Sequence, residues 1–282
     1  MKITIVGLGV VGGSFAMALQ RAGGHEVYGV DSNEQTIQKA LNQGLIVEGG
    51  ADGSRFFEKS DLILLCLYPD AMRPFLLQYG PAFRKGCVVT DTAGIKSKLI
   101  EAVQDIIPPE VDFVFGHPMA GREKRGIDFA SDKVFQGANY IITPVEQNKP
   151  ESIQLVQNLM LKLGFGRVTL ITPEEHDYMI SYTSQLPHAI AVALVNSDEE
   201  RLDTGRFVGD SYRELTRIAN INEQLWCELF FVNKQPLLQS IEGFERELDR
   251  IKRAIAEEDT EELKRCFVQS SQRRQRLDRA KK

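Results

Sequence analysis

Apolar positions recur along this chain with two different rhythms. Up to about residue 171, short apolar runs alternate with longer segments of helical spacing. Lys2-Ile3-Thr4-Ile5-Val6, Val27-Tyr28-Gly29-Val30, Asp61 to Cys66, Cys87-Val88-Val89-Thr90-Asp91, Phe113-Val114-Phe115, Asn139 to Thr143 and Val168-Thr169-Leu170-Ile171 read as strands. Between them, Ser14 to Ala22, Asn33 to Asn42, Ala71 to Tyr79, Lys96 to Ile107 and Glu151 to Leu163 carry the apolar spacing of a helix. Pro108-Pro109 bars continuation of the fourth of these. Strands that are apolar on both faces belong in a parallel sheet covered on both sides, so this half is predicted to be doubly wound α/β.

The rhythm changes at Thr172-Pro173-Glu174-Glu175, a capping box with proline at the first helical position, after which no strand-like run follows. Glu174 to Asn196, interrupted at Pro187, then Tyr212 to Ala219, Glu223 to Val232, Leu237 to Ala256 and Glu261 to Arg279 all read as helix. The pattern therefore predicts two domains, 1–171 and 172–282. About a hundred residues of helix with broad apolar faces rarely bury themselves fully, which points to a second copy of the chain as partner.

The most specific motif lies at the start. The first strand ends at Gly7-Leu8-Gly9-Val10-Val11-Gly12 and a helix follows, so strand, G-x-G-x-x-G and helix stand in the order of a dinucleotide-binding turn. The first glycine permits the tight turn, the second lets backbone approach a pyrophosphate, and the third lets helix and strand pack closely. Asp31 ends the second strand, about 20 residues beyond the glycines, where a carboxylate accepts from ribose hydroxyls and repels a 2′-phosphate. The domain is thus expected to be Rossmann-type and to take NAD rather than NADP. The competing role for Asp31 is the cap of the following helix.

Composition narrows the field by exclusion. The chain has 282 residues, 43% hydrophobic and 26% charged, with a net charge of −5, which gives no reason to expect nucleic acid or an anionic membrane as partner. Cys66, Cys87, Cys227 and Cys266 form no C-x-x-C pair, and His25, His117, His176 and His188 lack the short spacing of zinc ligands, so no metal is expected. The longest apolar run, Leu62 to Tyr68, is too short for a bilayer, and no signal-peptide pattern opens the chain, so the expected location is cytoplasmic.

Candidate chemistry centres on His117. In Phe115-Gly116-His117-Pro118-Met119-Ala120-Gly121 an imidazole follows an apolar run, and Gly116 with Pro118 is expected to end the strand, leaving His117 at its carboxyl end. Ligands of open α/β sheets bind there. By itself a histidine in that place is more often a hydrogen-bonded structural residue. In the helical half His188 follows Pro187, His176 lies in Glu175-His176-Asp177-Tyr178, and Arg217 lies in Leu215-Thr216-Arg217-Ile218-Ala219, where a lone arginine is usually a surface residue.

Taken in order, the N-terminal fingerprint, Gly-His-Pro-Met-Ala-Gly at 116–121, Leu-Pro-His-Ala at 186–189, and Leu-Thr-Arg-Ile-Ala at 215–219 followed by Trp226 resemble the prephenate/arogenate dehydrogenase family over nearly the whole chain. The resemblance implies a Rossmann domain joined to a helical dimerisation domain, acting as a homodimer in NAD-dependent oxidative decarboxylation of prephenate to 4-hydroxyphenylpyruvate for tyrosine synthesis. It implies that His117 hydrogen-bonds the ring C4 hydroxyl as catalytic base, that His188 contacts the pyruvyl side chain and that Arg217 holds a carboxylate. Glu123 matches a residue near the active-site mouth, Trp226 one near the substrate pocket, and Glu214 an acidic residue reaching the neighbouring subunit's site.

Departures from the family pattern shape the remaining expectations. Asp91-Thr92-Ala93-Gly94-Ile95-Lys96 puts Gly94 where the family often has a serine near the catalytic histidine, and Arg122 stands where threonine is common. The Thr92 hydroxyl, on the loop expected to face His117, is accordingly predicted to orient the catalytic imidazole, with Ser97 as the lesser candidate. Other readings of the same pattern are an arogenate or β-hydroxyacid dehydrogenase and a non-catalytic NAD-binding regulator.

Overall fold

The structure, a computed structural model, describes residues 1–120, 124–199, 201 and 203–279. Among these, eight strands form one sheet: β1 (Lys2–Val6), β2 (Glu26–Val30), β3 (Glu48–Gly50), β4 (Leu62–Leu65), β5 (Val88–Asp91), β6 (Asp112–Pro118), β7 (Asn139–Thr143) and β8 (Arg167–Leu170). Their order is 3-2-1-4-5-6-7-8, and all neighbours are parallel except β6 and β7. Strand order reverses between β1 and β4, so their carboxyl ends, Val6 beside Leu65, flank the switch point at which such sheets bind ligands.

Both faces of this sheet are covered, as its apolar strands require. Ile3, Ile5, Leu62 and Leu64 belong to one buried cluster, and Val6, Ile63 and Leu65 to another, so successive residues of a strand feed opposite cores. The covering helices are α1 (Val10–Ala22), α2 (Glu34–Asn42), α3 (Ser54–Phe57), α4 (Pro69–Tyr79), α5 (Ser97–Val103) and α6 (Pro150–Leu163). β3 and α3 are too short and too weakly patterned to appear in the sequence reading. α5 is shorter than its periodicity predicts, because Arg73 takes the Ala102 carbonyl and chelates Asp105, and the chain leaves the helix in a tight turn before Pro108 is reached.

β6 corrects a second expectation: Gly116 and Pro118 do not end it. It pairs with β5 through Val114 and from Phe115 onward with antiparallel β7, placing His117 opposite Ile141. Gly116 is needed at this place for close approach, since a Cβ there would lie 2.0 Å from the Tyr140 hydroxyl. His117 therefore lies beyond the end of its parallel neighbour while its own backbone stays clamped in the sheet.

From Thr172 on, the described residues form helices and turns. The capping box is present, with the Thr172 hydroxyl and the Glu175 carboxylate each accepting the other's backbone N–H, and it opens α7 (Pro173–Ile180). A π-helical turn at Ser181–Gln185 leads into α8 (Leu186–Asn196), then α9 (Asp210–Thr216), a 3-10 turn at Arg217–Ala219 and α10 (Glu223–Val232). The interruption thus precedes Pro187 rather than sitting on it: proline lacks the N–H for Thr183 and crowds that carbonyl, and the widened turn absorbs both.

Packing divides the chain into Met1–Asn233 and Lys234–Lys282. The first unit holds the sheet together with α7 to α10, so this boundary falls later than the change to all-helical structure. The second is a hairpin of α11 (Lys234–Ala256) and α12 (Thr260–Arg279), in which Glu262 of α12 pairs with Arg250 across the hairpin and with Arg265 on its own helix. Among the described residues no helix is long and apolar enough to cross a membrane.

Candidate active site

β1 turns into α1 through the glycine motif, and the first and third glycines each answer a close contact. Gly7 has φ +85°, and a Cβ there would lie 2.4 Å from the Cys66 carbonyl oxygen; one on Gly12 would lie 1.8 Å from the Gly7 carbonyl oxygen. A Cβ on Gly9 would meet nothing within 4 Å, so the second glycine faces open space rather than protein. Gly9 is also the N-cap of α1, without a side-chain cap or an acid in the first turn, which leaves the N–H groups of Val10, Val11 and Gly12 to an external anion. Asp31 accepts from Leu8 N at 2.7 Å and Asn33 N at 2.9 Å, fastening the carboxylate beside the turn. The cap of α2 is Asn33, which accepts from Gln35 N and Thr36 N, so Asp31 is not the helix cap. These residues fit a dinucleotide: Gly9 leaves room for a pyrophosphate and Asp31 offers a fixed carboxylate to ribose hydroxyls.

β1, β4, β5 and the first part of β6 run parallel, so the carboxyl ends that carry this turn also carry His117. Its ring is half-buried, and Nδ1 lies 2.9 Å from Nε2 of His176 on α7. His176, fully buried, places Nδ1 2.8 Å from Asp177 Oδ1. Asp177 in turn accepts from Lys96 N and Ser97 N, each at 2.8 Å, so a single carboxylate ties α7 to the start of α5. Beneath lies a fully buried pair: Lys96 Nζ donates to Asp91 Oδ2 at 2.7 Å and to the Ala93 carbonyl at 2.8 Å, while Asp91 accepts from Ala93 N and Gly116 N. Asp91 and Lys96 thereby hold the β5–α5 loop against β6.

Electrostatics follow from this burial. Desolvation, with positive charge on His176 and Lys96 opposing another nearby, holds His117 well below the usual imidazole value. Burial also lowers His176, against the pull of Asp177. Burial works to raise Asp177, but hydrogen bonds from His176 and Ser97 outweigh it and leave the carboxyl below its ordinary range. His117 is therefore a neutral imidazole at neutral pH. Its Nε2 faces Gly94, whose added Cβ would stand 3.6 Å from that nitrogen and 3.6 Å from Leu229.

The expectation that Thr92 orients His117 is corrected here. The Thr92 hydroxyl donates back to the Leu65 carbonyl at 3.4 Å, and the partner of His117 Nδ1 is His176. Ser97 meets the network at Asp177, through its backbone N–H and its side chain, and not at His117. Asp91, Lys96 and Asp177 belong to the site although sequence reading gave them no role. The signal was faint: a His-Asp pair in the first turns of a capped helix, facing a direction that only packing reveals.

Other candidates gather on the helical side. His188 donates Nδ1–H to the Ser184 carbonyl at 2.8 Å and stacks on Trp226, ring centroids 3.7 Å apart and 28° between planes. Arg217 opens the turn that packs on α8, the helix carrying His188. Glu214, on α9, is exposed. Glu123 lies outside the described residues, as does Arg122. Among the described residues no cluster of His, Cys, Asp and Glu could hold a metal.

Comparison with known proteins decides the family. Residues 15–170 match the prephenate dehydrogenase nucleotide-binding domain, and 172–269 match the prephenate dehydrogenase dimerization domain. The chain belongs to the prephenate dehydrogenase family. It is 30% identical to Bacillus subtilis prephenate dehydrogenase over 95% of this chain and 74% of that one. It is similar to the crystal structure of A. aeolicus prephenate dehydrogenase in complex with hydroxyphenyl propionate and NAD+, at TM-score 0.89 and 32% identity over 98% of both chains. Synechocystis arogenate dehydrogenase is similar at TM-score 0.83 and 30% identity, over 98% of this chain and 100% of that one. Like other members of the prephenate dehydrogenase family, the chain is an NAD-dependent oxidoreductase with a small-molecule substrate, and its C-terminal match is to a dimerization domain.

Proposed function

We propose that the chain oxidatively decarboxylates prephenate to 4-hydroxyphenylpyruvate in tyrosine biosynthesis, with His117 accepting the proton of the C4 hydroxyl. The observation that carries this reading is a neutral imidazole at the carboxyl edge of the sheet, backed by His176 at 2.9 Å and turning Nε2 toward Gly94. Gly7, Gly9, Gly12 and Asp31 would hold NAD, which would supply the hydride acceptor. In this reading His117 Nε2 takes the hydroxyl proton as C4 is oxidised and, once CO2 leaves C1, returns it to the phenolate oxygen, so that the aromatic ring carries the hydroxyl of 4-hydroxyphenylpyruvate. General-base service of this kind typically contributes about 10²–10⁴-fold.

Two carboxylates on the substrate need cations. In this reading the Arg217 guanidinium takes one as a bidentate pair, and His188, held over Trp226, meets the pyruvyl side chain. Glu123 at the mouth, Trp226 beside the pocket and Glu214 toward a neighbouring subunit keep the roles that family resemblance suggests. Residues 172–282 are proposed to build a homodimer interface.

The similarity to Synechocystis arogenate dehydrogenase favours a second reading, in which the substrate carries an amino group in place of the keto group. Steady-state NADH formation with prephenate and with arogenate separates the two. The expected result is a kcat/KM for prephenate at least about tenfold above that for arogenate, a difference of about 1.4 kcal/mol in transition-state binding. The reverse order would assign arogenate, and absence of turnover with either would leave an NAD-binding protein of another role.

A further inference from the structure

Hydrogen-bond directions along the chain from Asp177 to His117 can be assigned one by one. Asp177 accepts two backbone N–H groups, and its carboxyl is held below the ordinary range, so toward His176 it acts as an acceptor. His176 must then carry its proton on Nδ1, 2.8 Å from Asp177 Oδ1. A neutral imidazole protonated on Nδ1 has its lone pair on Nε2, and that atom faces His117 Nδ1 at 2.9 Å. Only a donor fits opposite a lone pair, so His117 too is protonated on Nδ1. Its lone pair falls on Nε2, beside Gly94.

We infer that His176 and Asp177 are positioning residues which hold His117 in the Nδ1–H tautomer, doing by a second imidazole what the Thr92 hydroxyl was expected to do. The proton leaving the substrate hydroxyl binds His117 Nε2. The resulting imidazolium keeps Nδ1–H donated to His176, and the charge is balanced through that ring by the Asp177 carboxylate, with no second proton transfer. The same carboxylate caps the start of α5, so base orientation and the position of the Gly94 loop are set by one group. This inference deepens the reading of His117 as base and rests on it.

The test is nitrogen NMR on protein labelled in histidine, whose four rings are assignable by single substitutions. At a pH where the rings are neutral, His117 and His176 should each show a pyrrole-type Nδ1 and a pyridine-type Nε2. In His176→Leu, which fills the space and removes the acceptor, His117 should move toward the Nε2–H form, and kcat should fall roughly tenfold or more with KM within about twofold. His176→Gln, whose amide oxygen can reach the place of Nε2, should restore the Nδ1–H signature and part of kcat. A wild-type His117 carrying its proton on Nε2 overturns the inference whether or not substrate is turned over. An unchanged tautomer and kcat in folded His176→Leu overturns it as well. Failure of the proposed reaction shows up separately, as absence of turnover with the tautomer intact.

Discussion

At the scale of single residues, the depressed pKa of His117 has two consequences of definite sign. Because only the neutral ring accepts a proton and burial first of all resists its charging, the acid limb of kcat/KM against pH should lie below 6.5. An acid limb above that value, with no other group responsible, would remove His117 as the base. The unfolded chain binds protons on His117 and His176 near pH 6.5 while the folded chain resists them, so stability is present above that pH and lost as pH falls below it. Kinetics of variants should separate roles: Arg217→Ala should raise KM for prephenate strongly, by about 1.5–3 kcal/mol of lost binding, with the Kd for NAD nearly unchanged. His117→Asn should lower kcat with substrate still bound; unfolding of both variants would return these residues to structural roles. Thr92→Val should leave kcat within about twofold, since its hydroxyl serves the Leu65 carbonyl at 3.4 Å, too long to hold anything firmly. A large loss of kcat there would restore the hydroxyl to the site.

At the scale of elements, the turn from β1 to α1 and the loop from β5 to α5 do different jobs. The first is shaped by absences: a methyl at Gly12 would press on the Gly7 carbonyl oxygen at 1.8 Å, so the turn must open. Gly12→Ala is expected to cost about 1–3 kcal/mol in stability, as overpacking does, and to weaken NAD at least about tenfold. Thermal unfolding and a fluorescence titration with NAD check the two parts; unchanged affinity would show that the turn need not be tight. The second loop is shaped by buried charge, with Lys96 and Asp91 inside and Asp177 on its far side. Glu228 adds a further tie, accepting Asp70 N at 2.5 Å at the start of α4, and Asn222 donates to the Tyr68 hydroxyl, so α10 is anchored to the loop after β4. Sheet and helices α7 to α10 are thus one packed body around the site.

At the scale of the whole molecule, exposed apolar residues remain on the helices after residue 172, among them Tyr182, Leu215, Phe231, Leu248 and Phe267. Together with the match to a dimerization domain they lead to an expected two-fold dimer at micromolar concentration; a monomer by light scattering would sink that expectation. Much of this protein was written in local pattern. Strand alternation, the order of strand, glycines and helix, and the capping box at Thr172 each depend on residues close in sequence, so periodicity and spacing were enough to reveal the doubly wound domain and the glycine turn that opens it. What stayed hidden depends on elements distant in sequence. β6 runs on through Gly116 and Pro118 because β7 arrives from the other direction, and α5 stops early because Arg73 reaches across to its carbonyl. Thr92 was expected to face His117 because nothing in the sequence could say that α7 would carry a second imidazole there. Tertiary packing decided the partner of His117: His176 stands 59 residues from it along the chain and 2.9 Å from it in space, a contact that only the folding of α7 onto the β5–α5 loop creates.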